Sequence, residues 1–199
     1  MFAASGGVKR SARLGRLWDE IFPLILPPQQ GDGLGVAILN SNADTNFSFT
    51  NALGMISAEQ ARRLAATLRH YPQARWIVAL HHHLTEYPMP VSAFSERVGT
   101  ALINGSWFQR LLQPHGDRVV VMHGHRHLDW IGACGRLKIV SAPSPGMGPS
   151  EAATHLYVHA FAAGGNGSVS LLAPERVDIA ATEAETTERP AAPQSRQLA

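Results

Sequence analysis

Histidine is concentrated in two clusters of this 199-residue sequence, which holds ten histidines in all. The first cluster is the consecutive run His81-His82-His83, and the second alternates as His123, His125 and His127. A neutral imidazole is the commonest protein ligand of transition metals, and side chains two positions apart on an extended chain point the same way. Either cluster alone is a weak indication, because histidine is tolerated on surfaces and in cores. Together they predict a metal site.

Each histidine cluster directly follows a short apolar run. The runs Gly35–Leu39, Trp76–Leu80 and Arg118–Met122 have the nearly continuous apolar character of buried strands, and the last two end at the histidine clusters. Helices are predicted between them, over residues 57–70 and around residues 102–112. Alternating strands and helices with polar residues at the strand ends are typical of an α/β layered sheet, so the site is expected at those ends.

Local signals predict one helix start and one hairpin. The sequence Ser57-Ala-Glu-Gln60 matches a capping box, in which the Ser57 hydroxyl and the Gln60 side chain satisfy free backbone N–H groups. Further strands are predicted over 137–140, 154–161 and 168–172, the last two joined as a hairpin through the glycine-rich residues 164–167. A helix is also predicted over residues 10–22.

Four segments together resemble a known family. They are Asn40-Ser41 after a strand, Gly54 to Gln60 at a helix start, Trp76 to His82, and Gly124-His-Arg-His127. Their order and approximate spacing resemble the C-terminal half of calcineurin-like metallophosphoesterases, over roughly Gly35 to Pro145. The resemblance implies a partial α/β/β/α sandwich with its N-terminal half missing. It also implies hydrolysis of phosphomonoesters or phosphodiesters at a two-metal site.

The same resemblance implies roles for individual histidines. His81 and His125 are expected to bind one divalent ion of a dinuclear pair of manganese, iron or zinc, and His127 the other. His82 occupies a position where the family often repeats the histidine, and is expected to support a ligand or face the substrate. His123 is expected to be buried at its strand end.

Three further residues are candidates with ordinary structural alternatives. Arg126 could face a phosphate group or only solvent. Asp129 could accept a hydrogen bond from a ligand imidazole, or could be a solvated turn residue. Asn104 could border a substrate pocket, although a helix cap also explains it.

The aspartate-rich motifs of the family are missing. The sequence contains no Asp-x-His, no Gly-Asp-x-x-Asp and no Gly-Asn-His. Two neighbouring divalent ions repel each other, and a bridging carboxylate normally screens that repulsion, whereas three neutral imidazoles supply no negative charge. The sequence therefore leaves two readings open. One is a truncated product, or a start codon set too late, of a hydrolase. The other is a non-catalytic metal-binding remnant, or a half-domain that docks on a chain supplying the missing half.

Composition limits the remaining classes. We expect an N-terminal helix and loop over residues 1–34, the half-domain over 35–173 and a disordered, apolar-poor tail over 174–199. A net charge of +2 gives no argument for a nucleic-acid partner, and the short basic segment around Lys9 and Arg10 is usually a solvated face. One cysteine and no long apolar segment favour the cytosol and argue against a membrane partner. The family resemblance implies a phosphoester substrate as the partner.

Overall fold

The structure is a computed structural model that describes residue 17 and residues 20–42, 53–86, 102–144 and 154–179. Helix α1 spans Ala58–His70 and helix α2 spans Gly105–Leu112, followed by a 3-10 turn over Gln113–His115. The strands are β1 Leu24–Leu26, β2 Leu34–Ile38, β3 Arg75–Ala79, β4 Val119–His123, β5 Trp130–Cys134, β6 Leu137–Ser141, β7 Thr154–Val158, β8 Phe161–Ala163, β9 Val169–Leu171 and β10 Glu175–Ile179.

Six strands form one sheet in the order β1-β2-β3-β4-β6-β5. The four central strands, β2, β3, β4 and β6, are parallel, and β1 and β5 pair antiparallel at the two edges. The prediction of an α/β layered sheet is therefore confirmed. Because parallel strands end at the same edge, the loops after β2, β3 and β4 meet there. The second sheet of the implied sandwich stays a prediction.

The two faces of the sheet pack against different elements. Helices α1 and α2 cover one face, where Leu64 and Phe108 join a core that includes Trp76. On the opposite face Val120 and Val140 pack against Val169 of β9. The alternation of these contacts along β4 follows from the two-residue period of a strand.

One of the two capping contacts predicted at the start of α1 is present. The Ser57 hydroxyl accepts a hydrogen bond from the Gln60 backbone N–H at 3.2 Å, as in a capping box. The Gln60 side chain does not turn back to the helix start. Its Oε1 instead accepts from the Asn40 N–H at 2.9 Å, and its Nε2 donates to the Asn40 carbonyl at 3.0 Å. A buried amide needs partners, and the loop after β2 supplies both.

The hairpin prediction is confirmed, and its first strand is split. β8 and β9 pair antiparallel across the glycine-rich turn. The strand predicted over 154–161 is divided into β7 and β8 by His159 and Ala160. β7 pairs with β10 rather than with β9.

Three strands lie where no strand was predicted. β10 falls inside the segment predicted to be disordered, where Val177 and Ile179 alternate with polar residues and pair with β7. β1 lies in the segment predicted as an N-terminal helix and loop, and it pairs antiparallel with β2. β5 forms a tight hairpin with β6 through Gly135, whose φ of 60° suits a glycine.

Two predictions fall largely outside the described residues. Of the helix predicted over 10–22, residues 17 and 20–22 are described. Leu17, Glu20 and Ile21 are helical, and Phe22 is not. The tail beyond residue 179 is not described. Among the described residues, no helix has the length and apolar character needed to span a bilayer.

Candidate metal centre

The candidate site lies at the C-terminal edge of the parallel strands. Ser41 follows β2, the first histidine cluster follows β3, and the second cluster begins at the last residue of β4. Backbone hydrogen bonds continue to this edge, from Leu39 N to Ala79 O at 2.8 Å and from Leu80 N to Met122 O at 3.0 Å. The sheet thereby brings together residues that are distant in sequence.

His81 and His125 are in direct side-chain contact. His81 Nε2 lies 2.7 Å from His125 Nδ1, a hydrogen-bond distance, and the ring centroids are 4.6 Å apart at an interplanar angle of 74°. The two loops are also joined through the backbone, because the His81 carbonyl accepts from the N–H groups of Gly124 at 3.2 Å and His125 at 2.9 Å. Two imidazole nitrogens therefore converge on one point.

His127 is exposed and is not part of that contact. It adopts a left-handed conformation with φ of 53°, which is uncommon for a residue with a side chain, and its N–H donates to the Gly124 carbonyl at 2.9 Å. It nevertheless acts electrostatically on His81. Burial, and then the positive charge of His127, lower the pKa of His81. The structure thus joins two of the three predicted ligands directly and the third only electrostatically.

His82 is buried behind the pair, with 1% of its surface exposed. Its Nδ1 lies 2.8 Å from the Ser41 hydroxyl oxygen, and its ring packs 5.0 Å from that of His81 and 4.5 Å from that of His125. Gly54 covers it closely, because a Cβ at Gly54 would lie 2.3 Å from His82 Cγ. This burial argues against the substrate-facing alternative and favours a supporting role.

Two further histidines are buried beside the site. His123 is 4% exposed, as expected for a residue at the strand end, and His83 is 3% exposed. Burial lowers the pKa of each to about 4. The Arg126 guanidinium also lowers the pKa of His83, whereas the Glu86 carboxylate raises it. Arg126 is half-buried, and its effect on His83 shows that it adds positive charge to the site.

Asp129 contacts a histidine that the sequence did not single out. Its Oδ2 accepts from His155 Nε2 at 2.6 Å and from the Tyr157 hydroxyl at 3.3 Å. Asp129 is exposed, in line with the alternative of a solvated turn residue, and this contact joins it to β7. The contact forms because β7 lies close to the loop after β4 in the folded chain. No local sequence pattern indicates this proximity.

Asn104 occupies the N-cap position of α2, and its side chain bonds to the backbone of Ile56. It precedes α2 without a capping hydrogen bond from its side chain. Its Oδ1 accepts from the Ile56 N–H at 3.1 Å, and its Nδ2 donates to the Ile56 carbonyl at 2.7 Å. A cavity of about 220 Å³ does open nearby. Its lining consists of His83, Leu84, Thr85, Glu86, Leu102, Gly105, Ser106 and Gln109.

Three residues support the site in ways that were not predicted from the sequence. Ser41 organises both His81 and His82, Gly54 makes room for the His82 ring, and Gln60 fixes the loop that carries Ser41. The sequence signal that could have identified Ser41 is its position after a predicted strand. Asn40-Ser41 follows a buried strand directly, and a polar residue there faces the edge at which the histidines meet.

The His81 and His125 nitrogens lie closer together than two ligands of one cation. Zinc–nitrogen bonds of about 2.0 to 2.1 Å in tetrahedral geometry place two ligand nitrogens about 3.3 Å apart, so a cation requires the two rings to separate by about 0.6 Å. Across residues 20–42, 53–86, 102–144 and 154–179, no three His, Cys, Asp or Glu side chains are grouped to hold one ion. The assignment of His81, His125 and His127 as a ligand set stays a prediction.

Comparison with known proteins finds similarity in structure but none in sequence. No protein-family model matches this chain, and no curated protein sequence matches it. The fold is similar to the crystal structure of a Staphylococcus aureus protein assigned as a 5'-nucleotidase, in complex with alpha-ketoglutarate. The identity is 13%, the TM-score is 0.47, and the similarity covers 82% of this chain and 31% of that one. This chain therefore spans less than a third of that protein, and the likeness defines neither a family nor an activity.

Proposed function

We propose that this chain carries the histidine half of a divalent-metal phosphoesterase site. His81 and His125 bind one cation in this proposal, and His127 reaches toward a second. The observation that supports it is the 2.7 Å approach of His81 Nε2 to His125 Nδ1 at the C-terminal edge of adjacent parallel strands. Enzymes of layered α/β sheets place their ligands at this edge.

The electrostatics of the site favour cation binding by neutral imidazoles. Burial lowers the pKa of His81, so its nitrogen lone pair is available at neutral pH. A bound divalent cation would polarise a phosphoryl oxygen and lower the pKa of a water molecule. The Arg126 guanidinium acts electrostatically on His83, and in this proposal its positive charge attracts the phosphate group.

A second candidate function is a metal-binding half-domain without catalysis. The neutral histidine set offers no carboxylate to screen a dinuclear pair, and the Asp129 carboxylate is bonded to His155. In this alternative a second polypeptide supplies the carboxylates. A cytosolic location is part of both proposals.

Turnover and metal content separate the two functions. The purified chain is assayed with bis-p-nitrophenyl phosphate and p-nitrophenyl phosphate in the presence of manganese. The wild type is compared with the double variant His81→Ala, His125→Ala and with His70→Ala, which changes an exposed histidine at the end of α1.

Turnover by the wild type and by His70→Ala, with loss in the double variant, supports the enzyme. Metal binding without turnover supports the half-domain. If the wild type binds no more manganese or zinc than the double variant, both proposals are wrong.

A further inference from the structure

The Ser41 hydroxyl stands at the centre of three hydrogen bonds. Its oxygen accepts from the backbone N–H of His81 and from that of His82, each at 3.2 Å. It also lies 2.8 Å from His82 Nδ1. Ser41 is itself buried, with 1% of its surface exposed, so these contacts replace those it would make with water.

A count of donors and acceptors fixes the direction of the third bond. A serine hydroxyl has one proton and two acceptor lone pairs. Both lone pairs of Ser41 receive backbone N–H groups, so its proton is directed to His82 Nδ1. A nitrogen that accepts cannot carry a proton in the same bond. The neutral His82 ring therefore carries its proton on Nε2.

We infer that Ser41 is a positioning residue that fixes His82 as the Nε2–H tautomer and so excludes His82 from metal binding. One ring nitrogen is occupied by the serine proton, and the other carries its own proton. His81 and His125 remain as the ligands. The inference about the tautomer concerns the metal-free chain, and the inference about ligand choice rests on the proposed function.

The position of His82 makes such an exclusion useful. Its ring lies 4.5 Å from the His125 ring and 5.0 Å from the His81 ring, so a third available lone pair there would compete for the same cation. The backbone of Gly54 packs closely against this ring, and any larger residue at position 54 would overlap it. The hydrogen bond to an imidazole sets which nitrogen is protonated, and through it how the ring can act.

Nitrogen-15 NMR of the imidazoles tests the tautomer directly. Spectra are recorded on the chain in EDTA, and His82→Gln identifies the His82 signals by their disappearance. We expect a protonated Nε2 and an unprotonated, hydrogen-bonded Nδ1 in the wild type. Ser41→Thr should keep this pattern, Ser41→Ala should lose it, and Ser170→Ala, an exposed serine on β9, should leave it unchanged.

A wild-type spectrum with the proton on Nδ1 of His82 overturns the inference, as does an unchanged His82 spectrum in Ser41→Ala. If Ser41→Ala does not fold, the wild type and Ser41→Thr decide the question.

Zinc titration then separates this inference from the proposed function. Zinc affinity should fall roughly 10- to 100-fold in Ser41→Ala, because the hydroxyl also accepts from the His81 N–H and so fixes the loop that carries this ligand. The affinity should remain in Ser41→Thr, which keeps the hydroxyl. The expected tautomer without any zinc binding leaves the role of Ser41 intact and contradicts the phosphoesterase proposal. Zinc binding that is equally tight in the wild type and in Ser41→Ala contradicts the role of Ser41 in ligand choice.

Discussion

His81 Nε2 and His125 Nδ1 lie 2.7 Å apart, although 44 positions of the chain separate the two residues. The contact exists because β3 and β4 are adjacent parallel strands whose last residues reach the same edge. In the metal-free chain one ring donates a proton to the other. A cation binding between them would take the place of that proton.

The first prediction concerns metal affinity. His81→Ala and His125→Ala should each weaken binding of the first zinc ion by at least about tenfold, because each removes one of two converging nitrogens. His127→Ala should weaken it less, since His127 is not in contact with the pair. Isothermal titration calorimetry measures the affinities. Equal affinities in the wild type, His125→Ala and His70→Ala would contradict the ligand assignment.

The second prediction concerns Gly54. Gly54→Ala should destabilise the fold by about 1 to 3 kcal/mol, because the added Cβ would overlap the His82 ring and the buried site cannot easily relax. Urea unfolding measures the change in the free energy of unfolding. Gly31→Ala is the matched control, because a Cβ there meets no atom within 4 Å. Equal stability of the two variants would show that the His82 ring can move freely.

The third prediction concerns the stability of the fold at acidic pH. The pKa of His83 and that of His123 are lowered by burial from 6.5 to about 4, so the unfolded chain binds protons more tightly than the folded one between these values. Stability is therefore complete above about pH 6.5 and falls as the pH drops toward 4, by up to about 1.4 kcal/mol per pH unit for each histidine.

Urea unfolding in EDTA at several pH values tests this effect. His123→Gln removes one titrating group, and its free energy of unfolding should depend less steeply on pH than that of the wild type. A wild-type free energy of unfolding that stays constant from pH 7 to pH 4.5 would show that these histidines titrate normally.

The fourth prediction concerns Gln60. Gln60→Ala should cost about 1 to 3 kcal/mol, because it leaves the N–H and carbonyl of Asn40 without the side chain that binds both. Ser57→Ala should cost about 1 kcal/mol, the usual effect of losing a helix cap. Thermal unfolding measures the loss of stability in each variant relative to the wild type. A smaller loss for Gln60→Ala than for Ser57→Ala would favour the capping-box role instead.

Local patterns predicted the elements that carry the site. The apolar run ending at His81 and the run ending at His123 are strands within one residue of their predicted limits, because a buried parallel strand must be apolar on both faces. The Ser57 cap was predictable for a similar reason, since it satisfies backbone groups three residues away. Such signals are contained in a few neighbouring residues.

Partners distant in sequence were not predictable in the same way. Asp129 bonds to His155, 26 positions later, and Gln60 bonds to Asn40, 20 positions earlier. β10 was missed because its alternation is weak by itself and becomes a strand through pairing with β7. Each of these contacts is selected by burial after the chain has folded back on itself.

The sequence by itself determined an α/β sheet with two histidine clusters at the ends of adjacent strands, because strand patterning and residue type are local properties. The tertiary structure alone decided which histidines meet. It paired His81 with His125, buried His82 beneath Gly54 and against Ser41, and left His127 exposed. The physical reason is that the direction of a side chain at a strand end depends on the loops packed around it, and those loops come from separate parts of the chain.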